Sequence, residues 1–356
     1  MPVPMDNFPR PESSGNSRFL SYNEFEALVA AMARDGCVMA PRRFAGRGRM
    51  SDTDLVRYGE VTTAGEIESG IKSDFSPKEA LFPVQQTLLT LNAGQAIEPP
   101  EDGRPIYLFL RACDINGIDR LDGIFLRNGP EPDVYYLRRR QRIRFVLMEC
   151  ARSLTNCFCV SMGANRTDNY HMAIRWQPDG VHVLVRDRQL AGLLSTAGRP
   201  SEFSPSFVTR DDAPVRVPDP DRLTAAVRER DLFNHEMWKD YAARCIACGR
   251  CNTHCVTCSC FTTADVPDER VVGRAERRRM WAACHIDRFT DMAGGHSFRQ
   301  DYGSRMRFKT MHKIYDYYLR FGRHMCVGCG RCDDHCPEYI SFSTCINRVS
   351  EVLDHD

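Results

Sequence analysis

Short apolar runs rich in β-forming residues punctuate the first half of the chain. IYLFL (residues 106–110), FVLM (145–148) and VHVLV (181–185) read as buried strands. After the first of them, Asp114 is placed to cap a helix that carries Ile115, Ile118, Leu121 and Phe125 on one face. The return to a strand at Phe145 makes this a βαβ crossover onto a parallel sheet. The last third has a different period. Met311, Ile314, Tyr315, Tyr318 and Leu319 recur at three- and four-residue spacing and stop at Gly322, as a terminated helix does. Almost no β pattern follows Cys260, and helices are expected over residues 274–284 and 305–319. The expected fold class is therefore α+β overall, an α/β domain followed by a helical one.

A Pro- and Asp-rich stretch, RDDAPVRVPDPDR (residues 210–222), reads as a linker or surface loop. It sets the expected domains at residues 18–235 and 236–356. Residues 1–17 are rich in Pro, Ser and Asn and are expected to be disordered.

Composition narrows the function. Hydrophobic residues make up 42% of the 356, enough for a folded core. The formal net charge of +1 gives no general reason to expect nucleic acid or an anionic membrane as partner. The basic runs at Arg138–Arg140 and Arg277–Arg279 read as solvated helix faces or docking surface. No apolar stretch approaches the ~20 residues that span a bilayer, and the N-terminal segment has no apolar core of a secretory signal. The expectation is a cytoplasmic protein, where thiols stay reduced. Seventeen cysteines in that setting argue for metal or redox work.

Eleven of the cysteines fall between Cys245 and Cys336. CIACGRCNTHC places Cys245, Cys248, Cys251 and Cys255 as C-x2-C-x2-C-x3-C, and CVGCGRCDDHCP repeats it at Cys326, Cys329, Cys332 and Cys336. The repeat extends to a shared CGRC and to His before the fourth cysteine, so it is an internal duplication. Three thiolates two residues apart fit three iron corners of a cubane. The fourth cysteine is carried onward, to the other cluster in two-cluster ferredoxins. One [4Fe–4S] cluster is thus assigned to Cys245, Cys248, Cys251 and Cys336, and the second to Cys326, Cys329, Cys332 and Cys255. The glycine ahead of each third cysteine lets the loop wrap tightly. About 70 residues separate the runs, which suits a helical ferredoxin-type domain better than a compact ferredoxin. A zinc-stabilised interaction module is the reading from another class, since paired C-x2-C also builds zinc ribbons.

Four further thiols, Cys113, Cys150, Cys157 and Cys159, precede the linker. Cys113 and Cys150 lie just past strand ends, so parallel neighbours would bring both to the carboxyl edge of the sheet, where α/β proteins place ligands. They are either ligands of a third [4Fe–4S] cluster or buried structural thiols. Cys258, Cys260 and Cys284 are expected to pack beside a cluster, and His296 and His312 to be structural. Cys37 and Cys345 have no role assigned. No G-x-G-x-x-G fingerprint, Ser–His–Asp set or paired carboxylates stand out, so no catalytic residue is assigned and substrate chemistry is expected on partner chains.

Taken together, CIACGRCNTHCVTCSCF, MWAACHIDRFTDMAGGHSFR, RFKTMHKIYDY and HMCVGCGRCDDHCPEYI resemble the A subunit of anaerobic sulfite reductase. RACDINGIDRLDGIF and IRFVLMECARSLTNCFCVSMGAN extend the likeness into the N-terminal domain. More distantly, the chain is similar to the iron–sulfur β subunits of cytosolic sulfhydrogenases. The resemblance implies a relay subunit between a flavin subunit that oxidises NADH and a sirohaem subunit that reduces sulfite to sulfide. The hydrogenase-type β subunit is the alternative it implies. Val256 follows Cys255 where ferredoxin runs often carry Pro, a departure that touches the turn and leaves the ligand assignment intact.

Overall fold

The computed structural model describes residues 16–355 apart from residues 51, 93, 195, 196 and 230. The stretch expected to be disordered therefore lies outside the described residues up to position 15, while Asn16 and Ser17 stand in the first strand. The chain divides into two compact units. Unit 1 comprises Met1–Leu81, Gly103–Pro214 and Val327–Cys329; unit 2 comprises Phe82–Asp102, Val215–Cys326 and Gly330–Asp356. The division expected near residue 235 thus falls inside unit 2, and the units exchange segments along the chain.

Unit 1 is an α/β layer structure. Its strands are β1 (Asn16–Leu20), β2 (Cys37–Phe44), β3 (Leu55–Glu60), β6 (Ile106–Leu110), β7 (Ile143–Met148), β8 (Met172–Gln177), β9 (Gly180–Val185) and β10 (Arg199–Pro200). They form one eight-stranded sheet in the order β10-β1-β9-β8-β7-β6-β2-β3. The central neighbours β2, β6, β7 and β8 run parallel, and the flanking pairs are antiparallel. All five residues of β6 are buried, which explains its unbroken apolar run: parallel strands are covered on both faces. Phe109, Val146 and Ile174 pack against Phe25, Val29 and Met32 of α1 (Tyr22–Asp35) and Leu190 of α4 (Arg188–Leu194). Helix α1 opens with a capping box, Ser21 and Glu24 each satisfying the other's backbone amide.

The expected crossover is present, with β6 and β7 joined through α2 (Ala112–Arg127) and α3 (Val134–Arg142). Ile115, Ile118, Leu121 and Phe125 are all buried, as their spacing requires. The cap is Arg111 rather than Asp114, which sits fully buried in the first turn near the positive end of the helix. Arg140, read from its basic run as solvated, is instead buried: its guanidinium donates to Asp122, which also accepts from the Tyr136 hydroxyl at 2.8 Å. Within the expected linker, Asp211 accepts from the amides of Val160 and Ser161, so that stretch is tied down.

Unit 2 combines helices with a four-stranded antiparallel sheet. The helices are α5 (Pro220–Glu229), α6 (Met237–Arg244), α7 (Arg250–Thr253), α8 (Tyr302–Met311), α9 (Tyr317–Phe321), α10 (Arg331–Asp334) and α11 (Phe342–His355). A π-helical turn, His312–Asp316, joins α8 to α9, and Gly322 ends the run with φ +68°. The helix expected over 305–319 is therefore present.

The helix expected over 274–284 is not. Strands β11 (Phe261–Pro267) and β12 (Arg274–Trp281) form a hairpin, and β12 pairs on its other side with β4 (Gln85–Asn92), itself followed by β5 (Gln95–Ile97). Arg, Glu, Ala and Met favour helix locally, but pairing with a distant strand overrides that weak preference. In this setting Arg277 is an exposed strand residue paired with Asp265, and Arg279 is buried over the Phe82 ring.

Candidate metal centres

The two cysteine runs of the duplicated motif fold alike. In the first, Ala247 (φ +56°) and Gly249 (φ +70°) adopt left-handed backbone before α7; in the second, Gly328 (φ +64°) and Gly330 (φ +72°) do the same before α10. Two left-handed residues thus flank each second cysteine and bend the backbone there. Gly249 has a further constraint, because a Cβ there would lie 2.9 Å from the Ile286 side chain.

In unit 2 this geometry opens a cavity whose wall carries Cys245, Cys248 and Cys251 of the first run and Cys336 of the second. Lys309, His285 and Glu338 add polar side chains to its lining, and Cys332 also reaches it. The wall thus carries the four cysteines assigned from spacing to one cluster together with one, Cys332, assigned to the other. Backbone amides point at the sulfurs. Ala247 N–H donates to Cys245 Sγ at 3.5 Å and Ile340 N–H to Cys336 Sγ at 3.3 Å. Burial pushes the Cys245 and Cys251 thiols up, opposed at Cys251 by Lys309.

Cys255 behaves differently. A hydrogen bond from Cys258 draws its thiol well below the usual range, against burial and with help from Lys313 and Thr257. Cys326 begins the second run outside any helix but is tied to the π-helical turn: its amide, with that of Met325, donates to the Lys313 carbonyl. Cys329 belongs to the segment that packs in unit 1, where Lys72 Nζ donates to its carbonyl at 3.2 Å. Cys332 Sγ donates to Asp333 Oδ1 at 3.5 Å, matching Cys251 to Asn252 Oδ1 at 3.4 Å in the other run.

The remaining thiols of unit 2 gather around Asn252. Its Nδ2 donates to Cys284 at 3.0 Å and Cys258 at 3.6 Å, while Cys260 and Cys284 hydrogen-bond each other. Cys345 is fully buried on α11 against Thr310 Oγ1. His296 is exposed, its ring against Phe298, and His312 stacks on Phe308.

In unit 1, Cys113 stands in the first turn of α2 past β6, and Cys150 follows β7, so these two lie past the same ends of parallel neighbours. Cys157 and Cys159 follow in the next loop, and Cys150, Cys157 and Cys159 influence one another electrostatically. Burial, then the neighbouring Cys157, pushes Cys159 up to about 12. Lys72 Nζ approaches Cys157 Sγ at 3.7 Å. Cys37 lies in β2.

Sequence reasoning passed over Lys309, Lys313, Asn252 and His285. A signal existed for the lysines, since a charge repeated at i, i+4 beside Met306 and Met311 interrupts an apolar helix face. Asn252 and His285 had none, because only folding brings them to the cysteines.

Residues 244–340 match a 4Fe-4S dicluster domain. Sulfhydrogenase 2 subunit beta of Pyrococcus furiosus is 31% identical over 319 residues, covering 86% of this chain and 92% of that protein.

Proposed function

The chain belongs to the family of the sulfhydrogenase beta subunits, as an iron–sulfur electron-transfer subunit, and on that premise we propose that it relays single electrons between two partner subunits through two [4Fe–4S] clusters. Cys245, Cys248, Cys251 and Cys336 would hold the first, and Cys326, Cys329, Cys332 and Cys255 the second. The observation that carries this reading is the cavity wall that joins thiols of both runs. When bound, each cluster supplies a one-electron redox change. The chain supplies thiolates, N–H···S hydrogen bonds and an apolar surround, each of which tunes such a centre.

The electron donor is proposed to be a flavin subunit that oxidises NADH. For the acceptor, the relative's name favours a hydrogenase-type subunit, while the motifs noted in the sequence favour a sirohaem subunit that reduces sulfite. Both need the same relay. Among the described residues no helix is long and apolar enough to cross a membrane, which suits a cytoplasmic complex.

For the N-terminal thiols, the placement of Cys113 and Cys150 past the same strand ends, with Cys157 and Cys159 close behind, favours a third [4Fe–4S] cluster. Purification of the tagged chain with its partners under anaerobic conditions tests all three points. About eight irons and eight sulfides per chain support the two-cluster relay, and about twelve add the third. Nickel in the complex identifies the hydrogenase-type partner and sirohaem absorption the sulfite-reducing one. Zinc in place of iron would overturn the relay.

A further inference from the structure

Two lysines are buried in unit 2 without a carboxylate partner. Lys309 is 3% exposed and Lys313 2%. Removing an ammonium from water costs several kcal/mol unless an opposite charge compensates it. Among the described residues neither forms an ion pair with Asp or Glu. The groups that face them are thiols. Lys309 lies within the field of Cys251, Cys332, Cys258 and Cys255, and Lys313 within that of Cys255, Cys258 and Cys326. Lys309 lines the cavity beside Cys251 and Cys336, with its ammonium over the Phe342 ring at 4.7 Å. Lys313 Nζ donates to Thr257 Oγ1 at 2.7 Å and to Met325 Sδ at 3.5 Å; Thr257 Oγ1 in turn lies 3.4 Å from Cys255 Sγ, and Met325 directly precedes Cys326.

The backbone holds both in place. The two residues are one helical turn apart, Lys309 in the last turn of α8 and Lys313 in the π-helical turn that follows. Such π turns recur at functional sites, because the extra residue re-aims a side chain without ending the helix.

We infer that Lys309 and Lys313 are positioning residues of the relay, fixing positive charges beside the two cysteine sets and raising the reduction potentials of the clusters held there. Reduction adds a negative charge to a cluster, and a cation in a low-dielectric surround stabilises the reduced form more than the oxidised. Lys309, on the cavity wall with Cys245, Cys248, Cys251 and Cys336, acts most on that set and also reaches Cys332 of the other, while Lys313 acts on the set containing Cys255. This rests on the two-cluster reading proposed above.

The test is an EPR-monitored redox titration of the anaerobically purified chain with its partners, comparing wild type with Lys309→Met, Lys313→Met and the two Lys→Arg variants. Methionine keeps an unbranched buried stem and removes the charge; arginine keeps the charge. At a fixed potential, the reduced-to-oxidised ratio of one cluster is expected to fall roughly tenfold in each methionine variant, ~59 mV for a one-electron couple. The more strongly affected cluster differs between the two, and arginine restores the wild-type value. Unchanged potentials with full iron content would overturn the inference. So would loss of iron in the methionine variants, which would assign the lysines to cluster assembly. A wild-type chain without iron refutes the two-cluster reading itself, before any lysine is tested.

Discussion

His254 and His335 stack face to face, their ring centroids 3.9 Å apart and their planes within 12°. Each precedes the fourth cysteine of its run, so equivalent residues of the two halves of the duplication meet. Both are buried, and each directly follows one of the short helices α7 and α10. The stack therefore relates Cys255 and Cys336, the two thiols proposed to cross between clusters. Replacing either histidine by Ala should cost about 0.5–1.5 kcal/mol beyond lost burial and speed cluster loss to a chelator. His→Phe should retain most of the resistance. Bleaching followed at the iron–sulfur absorption band measures this.

The proposed cross-ligation makes a sharper prediction. Cys251→Ser and Cys336→Ser, though far apart in sequence, should remove the same EPR signal, and Cys255→Ser the other. The Cys251/Cys336 double variant should lose no more iron than either single one, because residues acting as a unit are not additive. Loss of both signals in the double variant, with one lost in each single, would separate the two cysteines.

Unit 1 carries a test of stability unconnected to the clusters. Asp122, Arg140 and Tyr136 form a buried polar set between α2 and α3. Asp122→Ala leaves an uncompensated buried guanidinium, expected to cost about 3–5 kcal/mol. Asp122→Leu with Arg140→Met, which empties the site of charge, should recover much of that loss. Denaturant midpoints of the three proteins report it.

His312 gives a pH signature. Burial, then the charges of Lys313 and Arg299, pushes it down to about 4 from an ordinary 6.5. The unfolded chain binds the proton more readily, so this residue's contribution is complete above pH 6.5. It is lost as pH falls toward 4. His312→Gln should flatten the fall in melting temperature between pH 7 and 5, while a parallel slope in both proteins would exclude His312 as its source.

The parallel core was legible in the sequence because β6 and β7 are buried on both faces and advertise it with unbroken apolar runs. The dicluster domain was legible because the duplication writes the cysteine spacing twice. The hairpin was not. RAERRRMW alternates too weakly to reveal a strand, and its partner β4 lies far upstream, where the sequence between Phe82 and Asp102 suggested no link to the cysteine domain. Arg140 and Arg279 were likewise misread, since a basic run shows charge and hides which member turns inward to a carboxylate or a ring. The buried lysines belong to the same class.

That upstream strand has a consequence for how the protein is made. Arg274 pairs with Asn92, about 180 positions earlier. At ~5–20 residues per second, β4 emerges from the ribosome and waits roughly 10–40 s for its neighbour. During that interval a strand carrying Leu88, Leu89 and Leu91 has no β12 to cover its edge. Unit 1 resumes at Gly103, so this strand waits between two parts of the other unit. Completion of unit 2 is thereby deferred until nearly the whole polypeptide exists.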